Sequence, residues 1–247
     1  MVLREIPNLG GIVTNNETIK IGVVIGVILL FIVVCIQPCI ATGKDPVIKN
    51  ITISPEKPTP LSNITFTIEI EGENISEVYL RVLEANKNMC YPTKNVSMEK
   101  IDDEIYECNI TLEFAAATYI KYQPIVYCNG VWYEFEYHNQ ILYPDLKITI
   151  PEEGYFHFLG IKLVKTYSGN TVLLGRTKVK VDVGYFESVI EKVEFYLNNQ
   201  LMKIDNENPY DWRWGTFSFG KYLIDIKAYV NETEYSNKTI KVMAFML

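Results

Sequence analysis

The sequence predicts an all-β protein: two tandem sandwiches of short strands behind one N-terminal apolar helix. Three observations lead there. Ile21–Ile36, "IGVVIGVILLFIVVCI", holds no charge and no strongly polar side chain. From Asp45 onward, short runs rich in Val, Ile, Thr, Tyr and Phe alternate apolar and polar residues, which is the period of a half-buried strand. At "LYPDLKITIPEEG", Pro144 and Pro151 flank a short apolar run and split the β region into two parts of about 100 residues each. The chain has 247 residues, 48% of them hydrophobic, with 17 Tyr and 11 Phe. Its net charge of -7 and its lack of a basic stripe exclude nucleic acid as a natural partner.

The first element is a tail, residues 1–20. Residues 21–41 follow as a transmembrane or signal-anchor helix, because only a helix satisfies its own amides in lipid. The uncharged run has 16 residues, and adding "QPCIA" brings it to spanning length. Ala41-Thr42-Gly43 offers a signal-peptidase cut, so secretion stands as the alternative to a retained anchor. Gly22 and Gly26 form a Gly-x-x-x-Gly, which permits close helix approach but serves equally for plain lipid contact. Lysines and arginines flank both ends and leave orientation open. Sequons speak more clearly. Seven Asn-x-Ser/Thr triplets follow the segment, at Asn50, Asn63, Asn74, Asn95, Asn109, Asn231 and Asn237, and one, at Asn16, precedes it. Chance predicts about two in a chain of this composition. The excess places the C-terminal region outside the cell, glycosylated.

The first sandwich is assigned to 46–143. Its strands are 47–53, 63–70, 77–83, 94–101, 104–112, 118–127 and 131–138, with "SPEKPTP" separating the first two and Asn129-Gly130 closing the last hairpin. Seven short strands in about 95 residues point to an immunoglobulin-like or fibronectin-like sandwich. Ile64, Phe66, Ile68 and Ile70 share one face; Asn63, Thr65, Thr67 and Glu69 share the other. Outside the apolar segment there are three cysteines. Cys90 and Cys108 are the candidate disulfide, closing a hairpin-sized loop, and Cys128 is left free.

The second sandwich is assigned to 144–247, with strands at 155–164, 176–183, 190–197, 200–204, 210–214, 221–230 and 236–245. Phe195, Tyr196, Tyr210, Trp212 and Trp214 crowd into "VEFYLNNQLMKIDNENPYDWRW". Such a cluster could stack on sugars or fill a core. Alternation decides for the core: Tyr210, Trp212 and Trp214 share a face, as do Val193, Phe195 and Leu197. The segment resembles the bacterial-type Ig-like (Big) domains of archaeal and bacterial surface proteins. The matching residues are Val193–Tyr196, Leu201, Pro209, Tyr210, Trp212, Trp214, Phe219, Gly220, Lys221, Ala228 and Tyr229, over about 155–247. Asn198-Asn199 replaces the family's Asp-Gly turn, and "VNETEYSN" replaces its Asp-x-x-Gly-Asn turn. The resemblance implies an extracellular spacer or interaction module and no conserved chemistry.

No catalytic constellation is legible, and the chain is not read as an enzyme. His138 and His157 sit in aromatic strands, in neither ligand nor triad spacing. Cys128 and His138 flank one hairpin without a nucleophile's geometry. The acidic turns "DNEN" (205–208, with Asp211) and "DDE" (102–104) lack EF-hand spacing and read as solvated. No cofactor and no metal is expected. The expected function is that of a membrane-anchored or secreted, glycosylated cell-surface protein serving adhesion, envelope scaffolding or protein interaction. Its partners are membrane lipid through the N-terminal helix and a cell-surface protein or glycan. Two alternatives are a carbohydrate-binding accessory module, for which Tyr79, Tyr122, Tyr133, Tyr196 and Tyr229 are the outward-facing candidates, and a subunit of a surface filament or secretion complex.

Overall fold

The computed structural model describes residues 43–246. The tail, the apolar segment 21–41, Asn16, Cys35 and Cys39 lie outside the described residues. Among the described residues, no helix is long and apolar enough to cross a membrane.

Residues 47–141 form β1 (Val47–Ser54), β2 (Asn63–Glu71), β3 (Ile75–Ala85), β4 (Lys94–Ser97), β5 (Glu99–Asp102), β6 (Ile105–Thr111), β7 (Tyr119–Cys128), β8 (Val131–Glu134) and β9 (His138–Ile141). They make two antiparallel sheets, in the orders β1-β2-β6-β5 and β4-β3-β7-β8, with β9 paired to the far end of β7. The alternation in β2 turns Ile64, Phe66, Ile68 and Ile70 inward, all at 1% exposure or less. Phe66 meets Tyr122 of the facing sheet at 5.0 Å between ring centroids. The run 94–101 was expected as one strand. It breaks at Met98, so that β4 pairs with β3 in one sheet and β5 with β6 in the other. Met98 is buried at the crossing, and its N–H donates to the Val78 carbonyl at 2.8 Å.

The Pro-flanked boundary is packed inward. Leu142, Tyr143 and Leu146 are buried, and the Tyr143 N–H donates to the Pro58 carbonyl. Beyond it come β10 (Lys147–Ile150), β11 (Tyr155–Phe158), β12 (Ile161–Lys165), β13 (Thr171–Leu174), β14 (Thr177–Asp182), a single 3-10 turn at Gly184–Phe186, β15 (Lys192–Leu197), β16 (Gln200–Asp205), β17 (Asp211–Trp214), β18 (Ser218–Tyr229) and β19 (Tyr235–Met246). A three-stranded sheet, β10-β14-β17, accompanies a seven-stranded one, β12-β11-β13-β19-β18-β15-β16. Within the latter, β13 runs parallel to both β11 and β19.

Two local readings need correction. The expected strand 155–164 is a tight hairpin, because Leu159 (φ 49°) and Gly160 (φ 82°) both adopt left-handed backbone and reverse the chain. The strand 171–174 was not anticipated. The core reading of the aromatic cluster is correct. Trp214 and Phe195 are fully buried, and Tyr210 and Trp212 nearly so. Trp212 stacks on Trp214 at 5.7 Å, Tyr222 meets Trp214 edge-on, and the Trp214 Nε1–H donates to Ser218 Oγ at 3.2 Å. The one polar atom of that indole therefore has its partner.

Candidate interaction faces

The outer face of β1-β2-β6-β5 is polar and carries three of the sequons. Asn50, Asn63 and Asn109 are all exposed there. Antiparallel register places Asn63 opposite Thr111 and Thr65 opposite Asn109. Thr111 Oγ1 donates to Asn63 Oδ1 and Thr65 Oγ1 to Asn109 Oδ1, each at 2.6 Å. The hydroxyl of each sequon is thus bonded to the other sequon's asparagine. Asn74, Asn95 and Asn237 are also exposed. Asn231 is half-buried, its carboxamide capping the turn before β19 through the N–H groups of Thr233 and Glu234.

The outer face of the other N-terminal sheet is aromatic. Register along β3, β7 and β8 brings Tyr79, Ile125, Tyr127 and Trp132 together. Trp132 is 49% exposed and lies 4.8 Å from Tyr127 and 5.9 Å from Tyr79. The ring planes are inclined by 46° and 49°, so they form a corrugated surface and not a flat one. Glu77 accepts from the Tyr79 hydroxyl. Arg81 reaches Gln123 at 2.8 Å and forks onto both oxygens of Glu134 at 3.3 and 3.4 Å. Of the five tyrosines expected to face outward, Tyr79, Tyr196 and Tyr229 are partly exposed, whereas Tyr133 lies opposite buried Val126 and packs against the core. Tyr122 is buried, held between Phe66 and the stacked ring of His138. Trp132 and Tyr127, the centre of the cluster, were not singled out from sequence.

The outer face of the seven-stranded sheet is apolar at one end. One cross-strand row reads Ile161, Phe158, Leu174, Phe245 and Phe219; the next reads Val164, Phe156, Val172, Met243 and Lys221. Ile161 and Val164 are each 63% exposed and Phe219 is 74% exposed. Phe219 and Phe245 meet edge-on at 5.0 Å. Lys221 and Lys241 border the face and line a cleft of about 430 Å³ with Asn170, Leu223 and Met243. Neither lysine has an ion-pair partner among the described residues. The opposite end of the same sheet is a tyrosine–lysine cluster: Lys227 lies over Tyr196 and Tyr235, and Lys192 over Tyr229. Burial alone would raise the Glu194 carboxyl there, but hydrogen bonds from Lys192 and Tyr196 bring it below the ordinary carboxylate range.

The residues weighed for chemistry have structural occupations. The disulfide expected between Cys90 and Cys108 is not formed; both are free thiols. Cys108 points into the core opposite Phe66, where burial pushes its thiol up to about 12, whereas Cys90 is exposed beyond β3. The loop they enclose therefore places one sulfur inside the sandwich and one outside. Cys128 is buried and donates to the Glu73 carbonyl at 3.0 Å. His157 is buried, with Nε2 3.2 Å from the Glu152 carbonyl. In the turn 205–211, Asp205 Oδ2 accepts from Lys203 and from the Asp211 N–H, and Asp211 pairs with Lys178. No cluster of His, Cys, Asp or Glu able to hold a metal occurs among the described residues.

Comparison with known proteins adds a family. No curated protein is similar to this chain in sequence. Among solved structures, the chain is similar to fibronectin(III)-like modules of Clostridium thermocellum CbhA. Identity is 15%, over 80% of this chain and 95% of that one, with a TM-score of 0.31. It is also similar to a DUF4785 family protein from Legionella pneumophila, at 10% identity over 78% of this chain and 55% of that one, with a TM-score of 0.36. Residues 164–242 match the family model described as bacterial Ig domain. The match spans β13 to β18 and reaches into β19, taking in the buried Trp212–Trp214 pair. Residues 164–242, the greater part of the C-terminal sandwich, are similar to bacterial Ig domains.

Proposed function

We propose that the chain is a cell-surface interaction protein. An N-terminal immunoglobulin- or fibronectin-like sandwich (46–143) and a bacterial Ig sandwich (144–247) are displayed outside the cell. They are tethered by the apolar segment 21–41, or released where that segment is cut. Bacterial Ig domains are generally extracellular surface domains, and folds of this class are typically structural or binding modules without catalysis. The observation that carries the extracellular reading is the exposure of the sequons: six of the seven asparagines after residue 44 are exposed on strand faces or turns. An asparagine modified before folding can keep its glycan in solvent at those positions.

The work of such a protein is adhesion, envelope scaffolding or assembly with other surface proteins, and it rests on faces and not on a catalytic pocket. Glycopeptide and N-terminal mass spectrometry on protein from native membranes tests the placement. Glycans on Asn63 or Asn109, with Met1–Lys20 retained, would support a tethered, outward-facing molecule. Unmodified sequons throughout would sink the extracellular assignment. A second reading, carbohydrate binding, has Trp132, Tyr127 and Tyr79 in its favour. Their mutual inclination counts against a flat stacking platform for pyranose rings. Quenching of Trp132 fluorescence by a soluble glycan, lost in Trp132→Ala, would revive it.

A further inference from the structure

Two faces of this fold carry large apolar side chains in solvent, and they differ from each other in charge and shape. Exposed contiguous apolar patches of this kind mark interaction sites on soluble proteins. The patch on the seven-stranded sheet spans five strands. It is aliphatic and phenylalanine-rich, and it is bordered by Lys221 and Lys241. The patch on β3, β7 and β8 is built on Trp132, Tyr127 and Tyr79, and it is bordered by Glu77 and by the Arg81–Glu134 ion pair. Charge is partitioned the same way along the chain. Residues 43–143 hold eight Lys and Arg against fifteen Asp and Glu, whereas 144–247 hold thirteen of each. The whole negative charge of the protein lies in the sandwich that bears the aromatic face.

We propose that the occupant of the apolar face is a second copy of this chain: the Phe219–Phe245 face of one molecule docks on the Trp132–Tyr127 face of the next, head to tail. The proposal takes the protein-interaction reading above and names the partner. Three features favour it. Each face supplies what the other lacks, since an aromatic anchor set in a desolvated apolar surface is the usual centre of a strong interface. Lys221 and Lys241, unpaired within the described residues, meet Glu77 on the sandwich that carries the protein's negative charge, while pairing two Phe219–Phe245 faces would gather four lysines around one interface. The cleft beside Met243, lined by both lysines, can take a carboxylate such as Glu77 from the partner. Because the contact joins different faces, it does not close on itself as a two-fold dimer does. It repeats into a ring or an open chain of molecules.

The test uses the full chain in detergent, measured by mass photometry and sedimentation. Phe219→Asp spoils the apolar face and Trp132→Asp the aromatic one. Both residues are exposed, so neither change should harm the core, and the double variant gives the baseline for any association through residues 21–41. The wild type is expected to form species larger than a dimer, and more weakly as salt rises. Each single variant should self-associate at least about tenfold more weakly. An equimolar mixture of the two variants should pair one to one and stop there, since each retains one intact face. Lys221→Glu/Lys241→Glu should weaken the wild-type contact, and Glu77→Lys/Glu134→Lys on the partner should restore it. A wild type no more associated than the double variant overturns the proposal. So does a mixture that fails to pair, or loss with Phe219→Asp but not with Trp132→Asp, the sign of like-face pairing. Phe219-dependent attachment to phosphatidylglycerol vesicles by an otherwise monomeric protein would assign the face to lipid and overturn it as well. The readouts are taken on chain produced without N-glycans, because Asn95 lies opposite Arg81 on the sheet that carries the aromatic face, so failure here and failure of the extracellular reading are separate results.

Discussion

Glu84 offers the sharpest test of how the N-terminal sandwich is held together. It sits near the end of β3 at 4% exposure, a place where a carboxylate is costly unless it is bonded. Its two oxygens accept separate backbone N–H groups just past the end of β6, Glu113 at 2.9 Å and Phe114 at 3.1 Å. Lys94 approaches to 4.0 Å. The carboxylate therefore ties the chain leaving β6 to the facing sheet. A hydrogen bond to a charged group contributes about 1.5–3 kcal/mol, and the half-exposed lysine adds at most about 1. Glu84→Gln keeps one acceptor and turns an amide N–H toward the other donor, so it should cost about 2 kcal/mol. Glu84→Ala orphans both donors; water can reach Glu113, which holds the loss to about 3 kcal/mol. With a urea slope of about 2 kcal/mol per M, the midpoint should fall by about 1 M for Gln and 1.5 M for Ala. Hydrogen exchange at the Glu113 and Phe114 amides gives the local readout and should accelerate in both variants. If Glu84→Gln shifts the midpoint by less than a quarter of the expected amount and leaves both amides protected, the two bonds do not hold this loop and the reasoning fails.

Three further outcomes follow from the packing and the charges. Trp214→Ala removes a fully buried indole stacked on Trp212 and leaves Ser218 without its donor, so it should cost about 3–5 kcal/mol, seen as a lower melting temperature and a collapse of near-UV circular dichroism. Peptide-resolved alkylation of the folded protein at neutral pH should label Cys90 and spare Cys108 and Cys128 until denaturant is added, because the last two are buried with raised thiol pKa values; equal labelling of all three would contradict the fold of the first sandwich. Hydrogen bonds from Lys44 and Lys49 hold the exposed Glu71 carboxyl at about 2. A folded pKa below the unfolded one means that its contribution is complete above about 4.5 and is lost as pH falls from there toward 2. NMR titration of the Glu71 side chain should show the low midpoint, and Lys49→Gln should move it up.

What the sequence made legible depends on how local the determinant was. Alternation in β2 and β17 identified both the strands and their buried faces, because a two-residue period is written in the residues themselves. The hairpin at 159–160 was hidden for the opposite reason: Leu159-Gly160 carries little turn signal amid "YFHFLGIKLV", and both flanking strands are apolar. The strand 171–174 is four residues long, and its neighbours β11 and β19 are remote in sequence, so nothing local announces it. Met98 is an apolar residue in an alternating run, and only the packing of two sheets makes it a crossing point. Glu84 reads as one more polar residue on an alternating strand; its burial is set by N–H groups almost thirty residues away. The same limit applies to Cys90 and Cys108, whose spacing suits a disulfide while their faces do not.

The aromatic residues show why composition alone could not separate scaffold from surface. Trp212 and Trp132 both lie on four-residue strands and both pack against other rings, yet one is nearly sealed and the other half open. The difference lies in what faces each strand. β17 presents Trp212 and Trp214 to the inner face of the seven-stranded sheet, where Tyr222 closes over Trp214. β8 is the edge of its sheet and turns Trp132 outward, where it finds only Tyr127 and Tyr79 beside it. Phe195 and Phe219 divide in the same way on β15 and β18: Phe195 meets Ile226 on the inner face, and Phe219 meets Phe245 on the outer one. A large apolar side chain on an inner face is explained by the sandwich that contains it. On an outer face it stays unexplained until a partner is supplied, and here Trp132 and Phe219, on different sandwiches with Glu77 beside one and two lysines beside the other, each supply what the other is missing.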